Sequence, residues 1–132
     1  MLFRSQNTND VDSGDSTISQ CTFNSAAVGV YQVSSGGLKI ENSKFLGGNY
    51  GYFMNAAPAS KPVADLLIVG CSLENMTTSA ISFNFQSGSV AWGGIVINGN
   101  QFGSNAYGIT ASDSSGKLSG ITITGNNFSQ IY

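Results

Sequence analysis

The sequence predicts an all-β fold, a right-handed parallel β-helix (solenoid) of about five coils. Three observations carry that expectation. Hydrophobic residues reach 41% while charged ones are only 9%, and the apolar set is rich in strand-forming Ile, Val, Phe and Tyr. Gly, Ser, Asn and Thr dominate the polar positions, as many short strands and frequent turns require. Most telling is a repeat: five eight-residue segments align without gaps, at 16–23 (STISQCTF), 38–45 (LKIENSKF), 66–73 (LLIVGCSL), 95–102 (IVINGNQF) and 121–128 (ITITGNNF). A β-sandwich with strands every few residues has no reason to repeat one register five times.

Each position of the repeat has a physical role. Positions one and three alternate with two and four, so they share one face of a strand. The inward set is Ile18, Leu38/Ile40, Leu66/Ile68, Ile95/Ile97 and Ile121/Ile123, weakened by Ser16 in the first coil. Gly70, Gly99 and Gly125 at position five suit a bend needing positive φ. Position six carries Cys21, Ser43, Cys71, Asn100 and Asn126, small groups expected to stack in an inward turn, where Asn amides bond between coils. Position eight is a large plug: Phe23, Phe45, Leu73, Phe102 and Phe128. Successive plugs lie 22, 28, 29 and 26 residues apart.

Five residues after each plug a looser repeat begins: VGVY at 28–31, YGYF at 50–53, TSAI at 78–81 and YGIT at 107–110. It is expected to be the next strand of each coil. The third strand is blurred, within stretches such as 90–92 and the variable loops 55–65 and 112–119, which absorb the differences in repeat length. The domain reading is an irregular acidic segment at 1–15 followed by the β-helix at 16–132.

The pattern also bears on partners. Terminal coils of a solenoid normally need a polar cap over an open sheet edge. Here the last coil is the most regular, so its edge is expected to be covered by more chain, another subunit or another domain. The reading is therefore an excerpt of a longer β-helix, or a subunit capped on assembly. Outward positions two and four are polar in Lys39/Glu41 and Thr122/Thr124 but apolar in Leu67/Val69 and Val96, a patch that the 55–65 loop or a second subunit would cover. Cys21 and Cys71 occupy the same position two coils apart, with Ser43 between. Two coil spacings of about 4.8 Å exceed the roughly 7 Å Cα separation a disulfide can bridge, so two free, buried thiols are expected.

The catalytic inventory is thin. The chain has no His, hence no Ser-His-Asp or Cys-His arrangement of its own, and no metal-ligand spacing or phosphate-binding loop. The oxygen-rich stretch 7–15 does not match a calcium loop, whose bidentate Glu would fall on Gln20. No cofactor and no metal are expected. Five scattered basic residues and a net charge of −2 argue against nucleic acid and against a polybasic membrane anchor. No apolar run nears the roughly 20 residues of a membrane span, so no membrane insertion is expected. Glu41, Asp65, Glu74 and Asp113 form no convincing pair for glycoside cleavage, which needs carboxyl groups about 5–9.5 Å apart. Aromatic faces stack on sugar rings. Aromatics outside the plug row include Tyr31, Tyr50, Tyr52, Phe53, Trp92, Tyr107 and Tyr132, of which half or more are expected to fill the core. The carbohydrate-binding candidates are Trp92, beside two glycines at a presumed corner, with Tyr107 and Asp113. Two glycosylation sequons, at Asn75 and Asn127, are of a kind common by chance in so Asn/Ser/Thr-rich a chain.

The segments 95–102 and 121–128 resemble coils of the pectin-lyase-like superfamily, which includes pectate lyases, polygalacturonases and bacteriophage tailspikes. The resemblance covers roughly residues 16–132. The Ser/Asn/Gly-rich, His-free character looks most like a tailspike. That resemblance implies a homotrimer on a virion tail, or an extracellular protein, that binds and often depolymerises bacterial surface polysaccharide. No family's catalytic motif matches, so no catalytic residue is carried over. The alternatives are a fragment of a polysaccharide lyase or glycoside hydrolase, with part of its site elsewhere, and a structural or adhesin solenoid.

Overall fold

Alternation of inward and outward residues along each short strand is realised as thirteen strands in a computed structural model, which describes residues 3–6, 16–34, 37–56, 65–88, 93–114 and 118–130. A first strand, β1 (Phe3–Gln6), precedes the repeat. Coil one holds β2 (Ser16–Ser19), β3 (Thr22–Asn24) and β4 (Val28–Ser34); coil two holds β5 (Leu38–Glu41) and β6 (Lys44–Ala56). Coil three holds β7 (Leu66–Val69) and β8 (Ser72–Phe85), coil four β9 (Ile95–Asn98), β10 (Gln101–Gly103) and β11 (Ile109–Asp113), and coil five β12 (Ile121–Thr124) and β13 (Asn127–Ser129).

Every pairing is parallel. One sheet stacks the first strands of the repeat in the order β12-β9-β7-β5-β2, and the other runs β1-β4-β6-β8-β10-β13 with β3 and β11 attached. The predicted register is kept position for position: Ile18 pairs with Ile40, Ile40 with Ile68, Ile68 with Ile97 and Ile97 with Ile123. The solenoid is therefore a parallel β-helix. It begins before Ser16, because β1 pairs with β4, Phe3 opposite Val30. The assignment of 1–15 as wholly irregular is corrected to that extent; residues 7–15 lie outside the described residues.

The inward residues form one continuous core from Ile18 to Phe102. Its plug row stacks Phe23 on Phe45 with ring centroids 4.7 Å apart and Phe102 on Phe128 at 4.6 Å, Leu73 filling the middle. Burying each such side chain stabilises by about 1.5–3 kcal/mol.

Two rows of left-handed residues turn the chain around each plug. The position-five row takes positive φ in all five coils, Gln20, Asn42, Gly70, Gly99 and Gly125. The row two residues beyond the plug does so too: Ser25, Gly47, Asn75, Ser104 and Gln130. Between the rows, position six satisfies the inward turn. Asn100 Oδ1 accepts the Cys71 N–H at 2.9 Å while its Nδ2 donates to the Ile68 carbonyl, and Asn126 repeats the arrangement one coil on with Asn100 N–H and the Ile97 carbonyl. The expected Asn ladder thus exists, bonding mainly to backbone. Asn105 makes a second one, accepting from Met76 N–H and donating to the Leu73 carbonyl.

Three expectations need correction. The looser repeat slips by one residue in coil three: Tyr50 pairs with Ser79, not Thr78, because β8 carries one residue more than β6 between the Gly48–Met76 pair and this one. Cys21 is exposed, since its corner lies on the outermost coil of its sheet, whereas Cys71 is buried between Ser43 and Asn100; both thiols are free. The inward residues of coil five are not buried: Ile121, Ile123 and Phe128 are exposed, because no described coil stacks on their far side.

Candidate functional site

The core explains which residues are left facing outward. Gly29 and Gly51 lie against the plug row; a Cβ on Gly51 would sit 2.9 Å from Leu73 and 2.8 Å from the Ala80 carbonyl. The next residues, Val30, Tyr52 and Ile81, are also buried and in register. Two consecutive inward residues mark a bend. Beyond it, alternation resumes, with Gln32, Met54 and Phe83 inward. Tyr52 is held in the core by its hydroxyl, which donates to Gln32 Oε1 at 2.5 Å, and burial pushes its pKa well above the usual phenol value.

The outward set flanking the bend is therefore Tyr50 on one side and Tyr31, Phe53, Ser82 and Thr110 on the other, followed by Asn55 and Asn84 two residues on. These side chains are half-buried and touch one another. Tyr50 stacks on Phe53 with centroids 4.7 Å apart and planes within 15°, and Tyr31 tilts against Phe53 at 5.6 Å. Asn55 Nδ2 donates to the Tyr31 hydroxyl at 3.1 Å, and Asn55 Oδ1 accepts from Asn84 Nδ2 at 2.8 Å and Gln86 Nε2 at 3.1 Å. Thr110 Oγ1 lies 3.0 Å from Ser82 Oγ and 3.2 Å from Ser79 Oγ. The result is an aromatic patch on coils one and two, continuous with amides and hydroxyls on coils two to four. Stacked rings supply flat apolar contact, and bonded amides are orientated without further ordering.

The sequence candidates fall differently. Tyr107 is 60% exposed and lies beside the buried Ser79, its carbonyl accepting the Ala80 N–H, so it ends the row that Tyr50 begins. Asp113 pairs with Phe85, which places it on the core-facing alternation of β11, and its Oδ2 accepts the Leu118 N–H to close a turn. The structure does not bring Tyr107 and Asp113 into one cluster. Trp92 lies outside the described residues. The patch of Tyr31, Tyr50, Phe53 and the amides was not singled out from the sequence. The signal was there: with Val30 and Tyr52 inward, alternation sends Tyr31 and Phe53 out.

The second outer face, on the five-stranded sheet, carries the half-buried Leu67, Val69 and Val96. A groove of about 300 Å³ opens beside Leu67, lined by Thr17, Gly37, Leu38, Lys39 and Asp65. Lys39 is ion-paired with Glu41 at 2.6 Å. Residues 57–64, which the sequence suggested as a cover, lie outside the described residues. Among the described residues no group of three or more His, Cys, Asp or Glu side chains is placed to hold a metal, and no helix is long and apolar enough to cross a membrane.

Comparison with known proteins agrees with this geometry. A family model described as a right handed beta helix region matches residues 4–128, which gives the coils their hand. No curated protein and no solved structure matches the chain.

Proposed function

Because the chain belongs to the right-handed β-helix family, we propose that it is a polysaccharide-recognition module of the tailspike type, working on the outside of a virion or cell. Membership supports a polysaccharide-associated or structural β-helix. The observation that favours recognition over a purely structural role is the outer patch of stacked Tyr50 and Phe53, tilted Tyr31 and the bonded amides Asn55, Asn84 and Gln86. Outward aromatic rings gathered on adjacent coils make an apolar patch of the kind that marks an interaction surface.

Binding, rather than cleavage, is the reading for this chain alone. Three of its four described carboxylates are engaged elsewhere, Glu41 with Lys39, Glu74 with the Ser72 hydroxyl at 2.5 Å and Asp113 with the Leu118 amide, and the fourth, Asp65, lines the groove on the five-stranded sheet. None belongs to the outer patch. The exposed Ile121, Ile123 and Phe128 are read as surface that further coils or a trimeric assembly cover.

An array of bacterial capsule and lipopolysaccharide glycans tests the reading. Saturable binding of at least one glycan is the expected result, and an array without a hit would remove the recognition role. Light scattering on the same sample tests assembly, for which a monomer at all concentrations would be the adverse outcome.

A further inference from the structure

Resting on the recognition role just stated, we infer that the patch of Tyr31, Tyr50, Phe53, Asn55, Asn84 and Gln86 takes a neutral saccharide, built of hexose or N-acetylhexosamine units, and not a polyuronate. The argument is one of charge and of unused hydrogen-bonding capacity. From Tyr31 and Tyr50 through Phe53, Ser82 and Thr110 to Asn55, Asn84 and Gln86, the patch contains no Asp, Glu, Lys or Arg. A polymer bearing a carboxylate on every unit would lay those charges on rings and amides with no cation to meet them, and desolvating an unpaired charge is costly. Among the described residues the one cation in register is Arg4, whose backbone pairs with Tyr31 at the first-coil end. One charge at one end of the patch does not match a charge repeated on every unit.

The polar groups fit hydroxyl and acetamido partners. Asn84 and Gln86 each donate one amide hydrogen to Asn55 Oδ1. Among the described residues each keeps a second amide hydrogen and a carbonyl oxygen, so each offers one donor and one acceptor in a fixed orientation. That pairing matches a sugar hydroxyl, which both gives and accepts a hydrogen bond, better than a carboxylate, which at neutral pH only accepts. Tyr50 and Phe53 stack on each other and stay partly exposed, which leaves apolar ring surface for the C–H side of a pyranose.

The test is calorimetric titration with neutral oligosaccharides (glucose and N-acetylglucosamine oligomers) beside oligogalacturonate, on the full chain and on Phe53→Ala, Asn84→Ala and Gln86→Ala. Gln86 ends the cluster, so its variant keeps the test meaningful if Phe53→Ala misfolds. The expected result is binding of a neutral oligomer that each variant weakens by about tenfold. Its affinity should change less than about twofold between about 50 mM and about 0.5 M salt. Binding of the uronate alone, steep salt dependence, loss of binding in Arg4→Ala, or neutral binding indifferent to all three variants would overturn this inference and leave the recognition role standing. If none of these oligomers binds, the inference falls, and the glycan array alone decides whether the recognition role stands.

Discussion

Coils four and five carry almost the same repeat, IVINGNQF and ITITGNNF, yet their inward residues meet opposite fates. Ile97 and Phe102 are 0% exposed, whereas Ile123 and Phe128 are each 47% exposed. Nothing in the local sequence separates them; what differs is that coil four has a coil on both sides. Burial in a solenoid belongs to the interface between repeats, so the same side chain is core or surface according to its neighbours. The same holds at the opposite end for the cysteines: Cys71 is buried two coils in and Cys21, in the equivalent position, is exposed.

This comparison can be broken experimentally. The largest contrast is expected in the plug row. Phe102→Ala should cost about 3–5 kcal/mol in urea denaturation, and Phe128→Ala only about 1 kcal/mol. Equal losses would mean that coil five is as enclosed as coil four in solution. The amide ladder should show a smaller version. Asn100→Ala strands the Cys71 N–H and the Ile68 carbonyl inside the core and should cost about 2–4 kcal/mol. Asn126→Ala, whose partners lie nearer solvent, should cost about 1 kcal/mol.

The smallest effect is titration of the thiols. Burial raises the Cys71 pKa above its ordinary value of 9.0, only partly opposed by its contacts with the Ser43 and Val69 backbone. With the folded value above the unfolded one, the stabilisation is complete below about pH 9 and is lost as pH rises through the folded value, because the unfolded chain ionises first. Stability should therefore decline above pH 9, and less steeply in Cys71→Ala. A thiol reagent should modify Cys21 at once in the native protein and Cys71 only on unfolding. Two rapid thiols would overturn the register at Cys71.

Much of the fold was legible because its constraints recur. Positions one, three and eight must fill a core and position six must satisfy a turn, so every coil draws on a narrow set of residues. The second left-handed row was not legible. Ser25, Gly47, Asn75, Ser104 and Gln130 share a backbone conformation but no residue type, and only one is a glycine. The slip at Ser79 was hidden for a related reason: aligning Thr78 with Tyr50 left Ile81 opposite Phe53, and only the inward pairing of Tyr52 with Ile81 resolves it. The site was the least legible part. Tyr107 is exposed but lies outside the cluster, and Tyr31, Tyr50 and Phe53 face out beside the inward Tyr52 only because of where the bend falls.

The two left-handed rows are five residues apart in every coil, although the coils differ in overall length. The arc from Gln20 to Ser25, and its four equivalents, is thus a fixed unit, and all variation in contour falls on the rest of the turn. A change in loop length need not disturb the stacking of neighbouring coils. The molecule behaves like a ruled page whose margin is constant: each line can be lengthened or rewritten on its outer part, and the lines above and below keep their spacing.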